Sequence, residues 1–201
     1  MGGTMTAESV QHRAQWPVPP QDGYTVDDLF TLPDLPPHTE LIDGSLVFVS
    51  AQRDFHSIVV DLLVNALRRT APPELKVRRE MTVVIDRRNG PEPDISVVRA
   101  EAVKSRDQTC YKVADVLLAI EVVSPDSEAR DTNAKPQKYA AAGIPHFWLV
   151  EMAGQDDQPA VQVYERGEAT GTYALTGIYH DHVKLSVPYD IDIDLTAIDG
   201  L

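Results

Sequence analysis

A single cysteine, Cys110, leaves this 201-residue chain without any internal disulfide, so its fold must rest on a core. No apolar run approaches the roughly 18 residues that a helix needs to cross a bilayer, and no membrane partner is expected. The N-terminus lacks the basic and apolar regions of a secretory signal. These absences suit a cytoplasmic protein. The opening Met1-Gly2-Gly3-Thr4-Met5-Thr6 fits the loose myristoylation pattern, but the pattern is short and Met5 offers another start, so no lipid is expected. Zinc-ligand spacing, a Ser-His-Asp order and a phosphate-cradling glycine loop are all missing, and Cys110 has no neighbours that suggest a nucleophile. Positive charge is scarce as well: 18 Lys and Arg against 31 Asp and Glu give a net charge of −13. Proteins that grip nucleic acid usually carry a basic footprint, so this balance argues against such a partner. The charge is uneven, however. Residues 53–88 hold eight Lys or Arg against five acids, whereas residues 151–201 hold ten acids against two bases. The acidic surplus can therefore lie away from any groove.

The length suits one domain with a substantial core. Residues 1–21 are polar, Pro-bearing and aperiodic, and read as a flexible arm ahead of a single domain at 22–201. Thr25 is a natural N-cap for a short helix to Leu32, with Asp28 in its first turn. Thr39–Val49 reads as two strands about the Asp43-Gly44 turn. Residues 54–70 place Phe55, Val59, Leu62, Leu63 and Leu67 at helical spacing, and Pro72-Pro73 follows. Strands are expected at 77–85, 95–98 and 116–123, with 99–114 as a loop containing at most a helical turn. A second helix spans Glu128–Ala142, with Gly143 as its left-handed cap and Pro145 beyond. A strand at 146–150 precedes short strands at 161–165, 172–178, 183–187 and 191–195. The order implies an α/β domain bordering on α+β, ending in a β-meander.

Two acids sit at the ends of β-branched runs: Asp94 before Ile95-Ser-Val-Val98, and Glu121 within Val116-Leu-Leu-Ala-Ile-Glu-Val-Val123. Buried carboxylates need partners, and two on neighbouring strands make a hard-oxygen site for Mg²⁺ or Mn²⁺, with the Val122 carbonyl as a natural third ligand. Taken alone, the pair is better explained by one edge-exposed side chain and one structural ion pair. Downstream, Asp131, Lys135 and Tyr139 follow at four-residue steps and share one helical stripe. Pro136 either breaks that helix or starts a fresh segment. His56 lies on the stripe of Val59 and Leu63, as a packed structural histidine would. Arg78, Arg79, Arg87 and Arg88 fit a backbone-binding groove and a solvated strand face equally. Phe147 and Trp148 read as core.

Thr39-Glu-Leu-Ile-Asp-Gly44, the helix with His56, Pro93-Asp94, Glu121-Val-Val-Ser-Pro125, Arg130-Asp131, Lys135 and Tyr139–Trp148 occur in an ordered set. In these stretches the chain resembles the Uma-two endonuclease family, a branch of the PD-(D/E)XK nuclease superfamily. The resemblance implies a restriction-endonuclease-like central mixed sheet flanked by helices, with Asp94 and Glu121 on adjacent strands as metal ligands. It implies Glu40 as an upstream acid of the site, His56 in a supporting role, and DNA as the substrate. The superfamily's lysine, two residues after the second acid, falls at Val123, which cannot stabilise an anion. The resemblance assigns that role to Lys135, with Lys138 as the alternative. The expected activity is Mg²⁺- or Mn²⁺-dependent DNA hydrolysis by a homodimer. The rival readings are a decayed nuclease-fold module that binds DNA or protein, and a hydrolase of another phosphodiester.

Overall fold

In a computed structural model of the chain, residues 18–154 and 157–201 are described. Most of the expected arm, residues 1–17 with the myristoylation pattern, lies outside them. Helix α1 (Val26–Thr31) begins in a capping box: the Thr25 hydroxyl accepts from the Asp28 amide, and the Asp28 carboxylate accepts from the Thr25 amide. Strands β1 (Glu40–Ile42) and β2 (Ser45–Val47) form the expected hairpin. Its turn residues Asp43 and Gly44 have φ of 51° and 79°, the mirror-image geometry that matches strand twist. A Cβ on Gly44 would come within 2.7 Å of the Arg88 guanidinium, which donates to the Asp43 carbonyl at 2.7 Å. Helix α2 (Asp54–Thr70) buries the predicted stripe, including Val59, Leu63 and Leu67.

The expected strand at 77–85 is two strands. Glu80 adopts a positive φ of 49° between β3 (Leu75–Arg79) and β4 (Thr82–Val84). After that bend β4 leaves the main sheet and pairs in parallel with β6 (Cys110–Lys112), a strand inside the expected loop. The central sheet has the order β10-β9-β8-β7-β5-β3. It contains β5 (Ile95–Arg99), β7 (Val116–Val122), β8 (His146–Ala153), β9 (Gln158–Arg166) and β10 (Tyr173–Tyr179). Strands β7 and β8 run parallel and the remaining pairs antiparallel, so the sheet is mixed. A separate hairpin, β11 (His182–Leu185) and β12 (Ile191–Asp194), closes the tail.

Alternation along the strands separates two buried layers. Leu118, Ile120, Trp148 and Val150 meet α2 and the β11–β12 hairpin on one face. Ala119, Phe147 and Leu149 meet the β7-to-β8 crossover on the other. That crossover carries a five-residue π segment, Arg130–Ala134, and then α3 (Lys135–Ala141). The uninterrupted helix expected from Glu128 to Ala142 is thus modified. Pro136 lacks an amide hydrogen and its ring would strike the carbonyl four residues back in a regular turn. The wider π turn relieves this, and the Lys135 amide bonds the Arg130 carbonyl, five residues back. Gly143, with φ of 93°, then ends the helix as expected. Truncating a residue shared by helix and sheet tests the two-layer packing: Leu63→Ala is expected to cost about 2–5 kcal/mol in urea unfolding.

Candidate active site

Register brings the two acids together. Ile95 pairs with Ile120 across antiparallel β5 and β7, so Asp94, one residue before β5, lies opposite Glu121. Directly opposed residues present their side chains on the same face of a sheet. Asp94 is fixed on both oxygens: the Val122 amide donates to Oδ2 at 2.7 Å, and His56 Nε2 lies 3.0 Å from Oδ1. His56 comes from the first turn of α2, so one helix end and one strand edge set this carboxylate. Glu121 is buried, with its side chain 1% exposed. Tyr139 donates to Glu121 Oε1 at 2.6 Å, and Lys135 Nζ donates to Oε2 at 3.0 Å.

Lys135 is the hub. Its ammonium lies 2.7 Å from Glu40 Oε1 as well, and 3.3 Å from Asp131 Oδ1. The last contact is within ion-pair range, but Asp131 Oδ1 makes no aligned hydrogen bond. Glu40 is held in turn by the Glu92 amide, which donates to Oε1 at 2.8 Å. Three carboxylates from β1, β7 and the crossover helix therefore meet one lysine, and Asp94 at the start of β5 adds a fourth negative charge nearby. Lys138, the alternative, pairs instead with Asp43 at the distant hairpin turn.

The electrostatics follow from that crowding. Burial pushes the Glu121 carboxyl well above its ordinary range; Lys135 opposes this, while Asp131, Asp94 and Glu40 add to it. Burial likewise raises Asp131 against the pull of Lys135. For Lys135, burial acts downward, but Glu121, Glu40, Asp131 and Asp94 outweigh it and hold the ammonium well above its usual value. Burial raises the Tyr139 phenol, and the adjacent Glu121 and Glu40 raise it further.

Asp94, Glu121, Val122 and Lys135 border one cavity of about 60 Å³, room for a few waters or a partly hydrated ion. Among the described residues, no three His, Cys, Asp or Glu side chains cage an ion by themselves. The donor set nevertheless fits Mg²⁺ or Mn²⁺: hard carboxylates beside an open cavity suit ions that keep several waters, and a cation there would relieve the repulsion that adds to burial in raising Glu121.

A family model described as "Uma2: Putative restriction endonuclease" matches residues 26–197. The chain belongs to the Uma2 family. A crystal structure described as a putative nuclease belonging to DUF820, from Anabaena variabilis, is similar to this Uma2 protein in fold, with a TM-score of 0.67 and 18% identity. The match covers 88% of this chain and 97% of that one. No curated protein matches the chain.

The structure gathers Glu40, His56, Asp94, Glu121, Asp131, Lys135 and Tyr139 of this Uma2 chain, all singled out from sequence. Of the two readings left open for the sequence's arginines, it does not favour the groove. Arg78 donates to the Tyr111 hydroxyl, Arg79 pairs with Asp61, and Arg88 holds the hairpin turn. The cavity is bordered instead by Arg53 and Arg130, neither of which stood out in the sequence as a binding residue. Arg130 stands immediately before Asp131 in the motif, and that adjacency was the available signal. Removing the hub tests its structural weight. Lys135→Met leaves Glu40 and Glu121 buried without their cation and is expected to cost about 3–5 kcal/mol in urea unfolding.

Proposed function

We propose that this protein is an endonuclease that hydrolyses DNA phosphodiester bonds with Mg²⁺ or Mn²⁺ held by Asp94, Glu121 and the Val122 carbonyl. The observation that carries this reading is the meeting of Asp94 and Glu121 on adjacent strands beside a cavity, with the Lys135 ammonium bonded to Glu121. Membership of a family described as restriction endonucleases supports it. The bound cation would polarise the phosphate and lower the pKa of an attacking water. The chain's own residues prepare the site. His56 and the Val122 amide orient Asp94, and Tyr139 orients Glu121. Glu40 and Asp131 hold the Lys135 ammonium charged in a buried place, where it stabilises negative charge developing on the phosphate. Residues 22–201 act as one nuclease-like domain in the cytoplasm. Two copies related by a twofold axis would present two sites to the two antiparallel strands of a duplex.

A second reading, a module that binds DNA or protein without cutting, draws on one feature: all four carboxylate oxygens of Asp94 and Glu121 already have partners. Calorimetry with Mn²⁺ separates the two. A nuclease is expected to give binding heat that disappears in Asp94→Asn, and a relic gives none. Plasmid DNA, RNA and small phosphodiesters are to be tested side by side. Cleavage of DNA with Mg²⁺ or Mn²⁺ is expected to fall at least about a hundredfold in Asp94→Asn and in Glu121→Gln. Activity surviving both changes refutes the assignment of these roles.

A further inference from the structure

Seven carboxylates border the cavity against three Lys or Arg side chains, a setting that repels a nucleic-acid backbone. Of those three cations Lys135 is spent on Glu40, Glu121 and Asp131. Arg53 and Arg130 are different: among the described residues neither guanidinium forms a salt bridge or hydrogen bond. Arg130 is the more telling. Its Nε is buried without an acceptor, although Asp126 and Asp131 belong to the same stretch of chain. A guanidinium N–H withdrawn from water is costly without an acceptor, and its planar fork suits two oxygens of one anion. Arg130 is carried on the π segment, where the Lys135 amide bonds the Arg130 carbonyl, and it borders the same cavity as the metal-ligand candidates.

We propose that Arg130, with Arg53 from the start of α2, is the phosphate-holding side of this cavity and binds a nonbridging oxygen pair of the nucleic-acid backbone. The proposal rests on the phosphodiesterase reading for the identity of the anion, and supplies what the acidic surface otherwise lacks. The arginines position the backbone, and Asp94 and Glu121 of the same cavity serve the cation. Lys135 contributes to the reaction and not to the grip.

Steady-state cleavage of an oligonucleotide duplex with Mn²⁺ tests this in Arg130→Gln, Arg53→Gln and Arg130→Lys. Arg130→Gln is expected to raise KM about tenfold or more, the loss of one charge-assisted hydrogen-bonded contact, with a smaller change in kcat. The slope of log affinity against log salt, read from fluorescence anisotropy of the same duplex, is expected to fall by about one. Arg130→Lys keeps the slope and still raises KM, because it keeps the charge and loses the fork. Mn²⁺ binding by calorimetry stays unchanged in all three, which a merely structural role would not guarantee. Unchanged KM and salt slope in Arg130→Gln, with cleavage still dependent on Asp94, overturns this proposal and leaves the nuclease reading standing. If the wild-type protein binds the duplex without cutting it, a slope reduced in Arg130→Gln upholds the phosphate site while the nuclease reading fails. Absence of any duplex affinity in the wild type overturns both.

Discussion

A charged ammonium buried among carboxylates is the constraint on which the arrangement of this protein depends. Lys135 has a side chain 6% exposed, and it meets Glu40, Glu121 and Asp131. None of these acids could be buried alone at an acceptable free-energy cost, and neither could the lysine. Each partner arrives on a different element, so the ion cluster also fixes where those elements sit. The β1 hairpin is tied to the sheet end through Glu40, the crossover helix through Asp131 and Lys135, and the central strand through Glu121. A cluster of this kind confers specificity of arrangement more than net stability, because desolvation offsets much of the attraction.

Much of this was legible in the chain. The apolar run Val116–Val123 marks a buried strand, helical spacing in residues 54–70 marks the helix that covers one face of its sheet, and the Asp43-Gly44 turn fixes a hairpin without any tertiary information. The ordered acids and Lys135 come from resemblance, since the spacing of Asp94 and Glu121 by itself suits a structural ion pair better than a metal pair. What escaped has physical reasons. Strand β6 is three residues in a polar stretch, and it exists only because β4 lies alongside it. The break at Glu80 needs a left-handed backbone that glutamate seldom adopts, and no local signal announces it. Long-range pairing overrides propensity in both cases.

Charge was the feature read least well from composition. A net charge of −13 describes the whole surface, but a binding site samples only what borders it. Here the basic stretch at residues 53–88 does not assemble into a groove; three of its seven arginines, Arg78, Arg79 and Arg88, are consumed by Tyr111, Asp61 and the hairpin turn. Arg53 alone of that stretch's basic residues reaches the cavity. Counting charges along a chain therefore misjudges both the hazard and the remedy, since what matters is which cations have no internal duty.

The π segment before Pro136 carries an implication of its own. Inserting one extra residue into a turn shifts the angular phase of everything after it, so Lys135 and Tyr139 owe their aim to a misfit between an imino ring and a regular helix. A sequence with an ordinary amide at that position would have two competing ladders available, differing by one carbonyl step. The orientation of the lysine would then be chosen by the tertiary ion cluster, and not dictated by the backbone.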